Sequence, residues 1–491
     1  MSDKAFDTTK KYAPLYLGKV LILGLGKTGQ ALSTYCSGLI GERITSLTIA
    51  AGDFSKSAQA FVDGLPQDKV QVLFDTHTFT ESYDLCIASP GISQFSDFYQ
   101  NANACCTEII SEVEFAWRES AQDSEWVAIT GTNGKTTTTA LVAHLLSACG
   151  KRANAVGNIG DTCLEAVALG NTDCYVAEVS SYQLASTKLF APDVAVLLNI
   201  TPDHIKWHKS FEAYCEAKRK VFAQCGEGST IVLDATNDIV REYFKELRKK
   251  FEEKNLDVVV PLGTKTGINE SMIDRCGAKS AAYCDSGMLV VERGDVRVEL
   301  IDQSDLNIKG EHNVLNALAA ASATLALVSS DAYDALRQAL ASFKPLEHRI
   351  EPCGTVEGIR CYNDSKATNV DATLKALAAF GEEKPFVLLG GDDKGTDLSE
   401  LVAEANKHTK GVVCFGAAGP RFFEAFKQAT IPVFSADHLE DALDVALSQT
   451  SKGDIVILSP ACASFDEFSC FEERGEVFKE LVAKRANERG A

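Results

Sequence analysis

Six consecutive residues carry the strongest chemical signal in this sequence: Gly131-Thr132-Asn133-Gly134-Lys135-Thr136. The strand-like run Trp126–Ile129 leads in, and a helical run begins at Lys135. Glycines let the backbone approach an anion closely, while the N–H groups and the positive end of the following helix face it. Lys135 is then placed to bridge β- and γ-phosphates, and the Thr136 hydroxyl to reach a divalent cation. The standard phosphate loop has a glycine six positions before its lysine. Ile129 stands there, so this loop is shorter. Two more strand-like runs, Cys174–Val179 and Val194–Ile200, end in polar residues: Glu178, Ser180 and Ser181 at the first, Asn199, Asp203 and His204 at the second. A carboxylate on a neighbouring strand end is where Mg²⁺ is held in phosphoryl-transfer sites. Taken singly, His204 reads as a surface or hydrogen-bonded histidine. Lys218, in the cluster Lys218-Arg219-Lys220 on the helical run Phe211–Phe222, reads as part of a solvated basic face. His204 and His208 are four apart, but Ile205 stands where a zinc-protease motif requires Glu.

The elements that must position these residues alternate between strand and helix patterns along the chain, which predicts α/β layers with mainly parallel sheets. Three domains are expected. In residues 1–112 a Rossmann-like unit is predicted, with a strand at Val20–Leu23 running into Gly24-Leu25-Gly26-Lys27-Thr28-Gly29. Further strands are expected at Leu47–Ala50 and at Asp84–Ala88, the latter ending in Ser89-Pro90-Gly91-Ile92. Gly24-x-Gly-x-x-Gly29 fits the dinucleotide fingerprint as written, so on this motif alone a nicotinamide enzyme stays open. Residues 113–345 carry the phosphate loop in a mononucleotide-binding α/β domain. A charged helix is expected at Glu242–Lys254, short strands and turns without assigned chemistry in 255–305, and a buried helix at Val314–Val328. Residues 346–491 repeat a doubly wound pattern, with strands at Ile359–Tyr362, Phe386–Leu389, Val412–Phe415 and Ile455–Leu458. Ligands bind beyond the carboxyl ends of such strands. Those ends here are Asn363-Asp364-Ser365-Lys366, Gly390-Gly391-Asp392-Asp393-Lys394 and Ser459-Pro460-Ala461-Cys462-Ala463-Ser464.

Bulk composition narrows the function. The chain has 491 residues, and 68 acidic against 48 basic side chains give a net charge of −20. Such a field repels nucleic-acid backbones and anionic lipid, so no nucleic-acid partner is expected, and any phosphate must be held locally. The polar start Met1–Lys11 precedes no apolar signal core, and no run reads as a membrane span, so a cytoplasmic protein without membrane insertion is expected, acting as a monomer. The 16 cysteines include no Cys-x-x-Cys pair, and many, such as Cys86, Cys174 and Cys414, lie in strand-like runs; they read as small core residues.

Seven short motifs in order resemble the Mur ligase family, to which folylpolyglutamate synthase is related. They are Gly131–Thr136, Gly157-Asn158-Ile159-Gly160, Glu178-Val179-Ser180-Ser181, Asn199 through His204, Ala217-Lys218, Gly310-Glu311-His312-Asn313-Val314-Leu315-Asn316 and Glu347-His348-Arg349. The resemblance covers nearly the whole chain. Gly24–Gly29 with Ser89–Ile92, Asn363–Asn369, and Ser459–Ser464 continuing to Phe471 are most similar to members that add D-glutamate to UDP-N-acetylmuramoyl-L-alanine. That resemblance implies ATP-dependent amide formation through an acyl phosphate in cell-wall precursor synthesis, with its links to cell shape and division. A third domain that closes over the second is also implied.

Roles follow from the resemblance residue by residue. Gly131, Thr132, Asn133, Gly134, Lys135, Thr136, Thr137 and Thr138 are expected to hold ATP phosphates, with Asn316 at the adenine and Arg349 and Asp364 completing the ATP site. Two Mg²⁺ ions are implied, held by Thr136, Glu178, His204 and Lys218, the lysine being carbamylated by CO₂; Lys135, Glu178, His204 and Lys218 form the implied catalytic set. Gly26, Lys27, Thr28, Gly29, Ser89, Gly91, Asn158 and Ser180 are expected at the UDP substrate, which reassigns the first glycine loop from a dinucleotide to uridine diphosphate. Thr368, Lys394, Ser464 and Phe471 are expected at D-glutamate. The family places an acidic residue at the end of the second strand, near the uracil; here that end reads Ala50-Ala51-Gly52-Asp53.

Overall fold

The computed structural model describes residues 5–66, 69–251, 258–263, 280–294, 296–308, 310–393 and 395–489. Lys394 therefore lies outside the described residues, as does much of 255–305. The chain forms two compact units, residues 1–306 with 314–342, and residues 307–313 with 343–491.

The first unit contains two sheets. One is built from β1 (Gly18–Leu23), β2 (Ile44–Gly52), β3 (Val70–Phe74), β4 (Tyr83–Ala88) and β5 (Cys106–Ser111), in the order β3-β2-β1-β4-β5. Every pair is parallel. The order reverses between β1 and β4, and the loops leaving these two strands are Gly24–Gly29 and Ser89–Ile92. That crevice is where doubly wound sheets bind ligands. Gly29 lets the first helix, Lys27–Ser37, start close to β1: a Cβ there would sit 2.0 Å from the Gly24 carbonyl oxygen.

The second sheet uses β6 (Glu125–Thr130), β7 (Ala153–Gly157), β8 (Cys174–Glu178), β9 (Val194–Leu197), β10 (Thr230–Asp234), β11 (Val259–Leu262), β12 (Ser280–Asp285), β13 (Met288–Arg293) and β14 (Val296–Asp302). Its order is β14-β13-β12-β11-β10-β9-β6-β8-β7. The β13 pairings are antiparallel and the others parallel. β6, β8 and β9 are covered on both faces and accordingly read as near-continuous apolar runs. Trp126 anchors this core, its ring 4.8 Å from Tyr175 and its indole N–H donating to Ser120 Oγ. The charged helix expected at Glu242–Lys254 starts earlier and spans Asp238–Lys250, because Asn237 caps it by accepting the Val240 N–H; residues 252–254 lie outside the described residues. The helix expected at Val314–Val328 spans Glu311–Leu325, and most of its residues are buried.

The second unit holds β15 (Glu351–Val356), β16 (Ile359–Asn363), β17 (Phe386–Gly390), β18 (Gly411–Phe415), β19 (Val433–Ser435) and β20 (Ile455–Leu458), in the order β15-β16-β20-β17-β18-β19. Only the β15–β16 pairing is antiparallel. No helix among the described residues is long and apolar enough to cross a membrane, and the described cysteines are free thiols.

Helix Glu112–Glu119 joins the first two sheets and is buried along its whole length. Its charges are matched locally. Glu119 takes two hydrogen bonds from Arg43 and one from Lys10, and Arg118 pairs with Glu108 and Glu114. Glu112 has no such cation; its Oε1 accepts the Leu164 N–H at 2.7 Å, at the start of helix Cys163–Leu169. Burial pushes its carboxyl up to about 7. A carboxyl raised in the fold binds more protons folded than unfolded, so its contribution is intact below the unfolded value and is lost as pH rises through the folded value. Glu112→Gln keeps the acceptor and removes the charge. Relative to the parent, the variant should gain on the order of 2–3 kcal/mol in unfolding free energy between pH 4.5 and pH 8, measured by urea denaturation across that range. A constant difference at all pH values would contradict this.

Candidate active site

The phosphate loop leaves β6 and is pinned from the β9 side. Thr132 N–H donates to the Asn199 carbonyl at 2.8 Å, and the Asn133 N–H and carbonyl pair with the Asn199 side-chain amide. Gly134 caps the following helix, Lys135–Ala148, with φ +86°. A Cβ there would lie 2.5 Å from Asn316 Oδ1, so position 134 needs glycine on both counts. Asn316 Oδ1 also accepts from Thr138 Oγ1 at 3.2 Å, which places Asn316 against the loop and the first turn of that helix. Thr136 is half-buried and Thr137 buried in the same turn.

Two lysines converge on one carbonyl of this loop. Lys135 Nζ donates to the carbonyls of Gly131 at 3.0 Å and Thr132 at 2.9 Å. Lys218 Nζ donates to the same Gly131 oxygen at 2.7 Å and to Thr130 Oγ1 at 3.4 Å. Lys218 is only 2% exposed, so it is not part of the basic face that its sequence neighbours suggest. Its helix, Phe211–Ala223, turns Tyr214 to the same side, and the ammonium stands 4.9 Å from that ring. Tyr214 is tied back to the loop through Thr132 Oγ1 at 2.8 Å. Burial, reinforced by the nearby Lys135 charge, holds Lys218 well below the ordinary lysine range.

Glu178 ends β8, in register with Ile129 of β6. Its Oε1 accepts from Asn158 Nδ2 at 3.0 Å, while Oε2 is buried without a hydrogen-bond partner. A buried carboxylate oxygen left open beside a phosphate loop is the donor that a hard cation takes. Two residues on, Ser180 caps helix Ser181–Ala185, its hydroxyl and N–H both engaged with Gln183. His204 follows β9 in the left-handed region, φ +55°. Its Nδ1 meets the Tyr182 hydroxyl at 2.8 Å, and Nε2 lies 3.5 Å from Asp203 Oδ2. His208 Nε2 meets Ser181 Oγ at 2.9 Å, and burial pushes this imidazole down to about 4. Lys135, Glu178 and His204 thus follow the ends of β6, β8 and β9, and Lys218 reaches the β6 end from its helix.

The first glycine loop belongs to the same unit and meets the turn that follows β7. Lys27 Nζ donates to the Gly160 carbonyl at 2.7 Å, two residues from Asn158. Ser89 Oγ is buried and unpartnered beside Gly24 and Gly29. Gly91 accepts from the Trp207 indole at 3.4 Å, and Ser93 donates to the Trp207 carbonyl at 2.8 Å. Gly26 and Lys27 are exposed and Thr28 half-buried at the mouth of that loop.

In the second unit the described candidates Asp364, Thr368 and Ser464 lie just past the ends of β16 and β20. Asp364 Oδ2 accepts from Ser459 Oγ at 2.7 Å and Oδ1 from the Ile350 N–H at 3.2 Å. Burial pushes this carboxyl up to about 7. Arg349, half-buried, is close enough to oppose that shift. Arg474 is 1% exposed and binds Ser365, Cys462 and Ala463, locking the β16 and β20 loops together. Ser464 is buried next to this clamp, and Asp392 pairs with Ala463 through two backbone hydrogen bonds. Thr368 is half-buried on the β16 loop. The Lys366 ammonium stands 3.6 Å from the Phe471 ring centroid, and Ser365 Oγ donates to the Phe471 carbonyl.

Tyr182, Tyr214 and Arg474 were not marked by sequence reasoning. Tyr214 carried a legible signal, lying four residues before Lys218 on one helix face. Arg474 carried none, because its partners are mostly backbone carbonyls.

The sequence matches the Mur ligase middle domain over residues 129–324 and the Mur ligase glutamate ligase domain over residues 348–462. It is 35% identical over 483 residues to a UDP-N-acetylmuramoylalanine–D-glutamate ligase of Koribacter versatilis, covering 96% of this chain and 98% of that protein. It is also 35% identical to the ligase of the same name from Caldanaerobacter subterraneus, covering 94% and 98%. Among solved structures, a pseudomurein peptide ligase type C from Methanothermus fervidus shares the fold, with a TM-score of 0.56 at 18% identity over 95% of this chain and 99% of that one. Glu178→Gln preserves the Asn158 contact and removes the open charge. ATP turnover should fall about 10²–10³-fold while the thermal midpoint stays near that of the parent, as read by coupled phosphate release and scanning calorimetry.

Proposed function

Because the chain belongs to the Mur ligase family, we propose that it joins D-glutamate to UDP-N-acetylmuramoyl-L-alanine at the expense of ATP, in cytoplasmic peptidoglycan precursor synthesis that serves cell shape and division. The observation that carries this reading is the shared Gly131 carbonyl: a buried and a half-buried lysine converge on it, and the neighbouring strand end carries an open carboxylate oxygen. In this reading residues 1–112 bind the UDP substrate, 113–345 bind ATP and 346–491 bind the amino acid, in a monomer.

A carboxylate is a poor electrophile and an oxide a poor leaving group, so the alanyl carboxylate must first accept the γ-phosphoryl group. Backbone N–H groups of Gly131–Thr136 and the start of helix Lys135–Ala148 cradle the phosphates. Lys135 exchanges its two carbonyl contacts for the β- and γ-oxygens, neutralising charge as the phosphoryl group moves. Thr136 and Glu178 would hold one Mg²⁺, and His204 and Lys218 a second; when bound, these cations would supply charge neutralisation and alignment of the reacting oxygens. As an ammonium, Lys218 cannot ligate a cation. Its depressed basicity favours the free amine, which adds CO₂ to give an anionic carbamate and a proton. Asn158 holds Glu178 from the side facing Lys27, linking the metal carboxylate to the UDP-binding loop. The amine of D-glutamate then attacks the acyl phosphate and inorganic phosphate leaves. Thr368, Lys394, Ser464 and Phe471 are the proposed D-glutamate contacts, with Arg349 and Asp364 completing the ATP site.

The test is phosphate release from ATP with UDP-N-acetylmuramoyl-L-alanine and a panel of amino acids. Release should require both the UDP substrate and D-glutamate. Turnover with L-glutamate, L-lysine or diaminopimelate and none with D-glutamate would overturn the assignment.

A further inference from the structure

Histidine can give a cation the lone pair of only one ring nitrogen, and the partner of the other nitrogen sets which one. In this chain Nδ1 of His204 is taken by the Tyr182 hydroxyl at 2.8 Å, leaving Nε2 on the side of Asp203, 3.5 Å from Oδ2. Tyr182 is itself held. Its ring stacks on Trp207 at 4.4 Å with 23° between planes, and lies 5.7 Å from His208, whose Nε2 is fixed by Ser181. Ser181 and Tyr182 lie three and four residues beyond Glu178 at the β8 end, so one short segment carries both the open carboxylate and the partner of the histidine. The left-handed backbone at His204, with its N–H bonded to Asp203 Oδ1, fixes the chain from which the ring extends.

We propose that Tyr182 is a positioning residue that commits His204 to cation binding through Nε2. The inference rests on the reading of His204 as a ligand of the second cation. A tyrosine hydroxyl both donates and accepts. When Nε2 gives its lone pair to the cation, Nδ1 carries the ring proton and donates it to the Tyr182 oxygen. Phenylalanine at 182 keeps the stacking on Trp207 but offers Nδ1 nothing, so the ring is free to rotate and to sample both tautomers.

Mn²⁺, standing in for Mg²⁺, is titrated into the full-length protein with a non-hydrolysable ATP analogue and followed by electron paramagnetic resonance. In Tyr182→Phe the weaker of two Mn²⁺ sites should lose about tenfold in affinity, while the tighter site and the affinity for the nucleotide analogue stay unchanged. In His204→Ala the weaker site should vanish. In ¹⁵N-histidine spectra recorded with Mg²⁺, the parent should show His204 protonated at Nδ1 alone, and Tyr182→Phe a mixture. If His204→Ala loses the weaker site but Tyr182→Phe binds Mn²⁺ as the parent does, the role of Tyr182 is refuted and the ligand reading stands. If His204→Ala keeps both sites, the ligand reading itself fails.

Discussion

A lysine side chain shut away from water, with a backbone carbonyl as its closest partner, is the constraint on which the first unit turns. Lys218 donates to Gly131 from a pocket walled by Tyr214 and Thr130. Hiding a cation in this way costs several kcal/mol unless a carboxylate compensates it, and no carboxylate lies within ion-pairing distance among the described residues. The proposed carbamate would resolve the conflict by turning the amine into an anion, and would supply a ligand beside the phosphate loop. The same logic applies to Glu178, whose Oε2 is buried and unpartnered. A buried acid and a buried base that do not meet each other are poor design for stability and good design for binding what comes between them.

The fold supplies this arrangement by stacking strand ends. β6 delivers the loop, β8 delivers Glu178 and the Ser181-Tyr182 pair, and β9 delivers Asn199, Asp203 and His204. Lys218 arrives on a helix that packs against β9. The first sheet turns its own glycine loop toward the turn after β7 through Lys27 and Gly160. In the second unit, the ends of β16, β20 and β17 are gathered in the same manner, with Arg474 as the clamp.

Much of this was legible in the sequence because central parallel strands read as apolar runs with polar ends. Strands such as β6, β8, β17 and β20 were placed within a residue or two. Those not marked, β3, β5, β7, β15 and β19, are edges of their sheets, where half-exposed residues blur the pattern; β10, a central strand, was also missed. The phosphate loop was visible from local spacing alone. Lys218 was not: its neighbours Arg219 and Lys220 make the segment look solvated, and its burial arises from β6 and the loop, which lie far away in sequence. Glu112 and Arg474 were likewise hidden, since partners made of backbone groups leave no trace in side-chain types.

The carbamate at Lys218 is the claim on which the proposed chemistry most depends. Carbon-13 NMR of the protein equilibrated with ¹³C-bicarbonate and Mg²⁺ addresses it without reference to turnover. The account predicts a carbamate resonance in the parent protein that disappears in Lys218→Ala. Absence of that resonance, or its persistence in Lys218→Ala, would contradict the account.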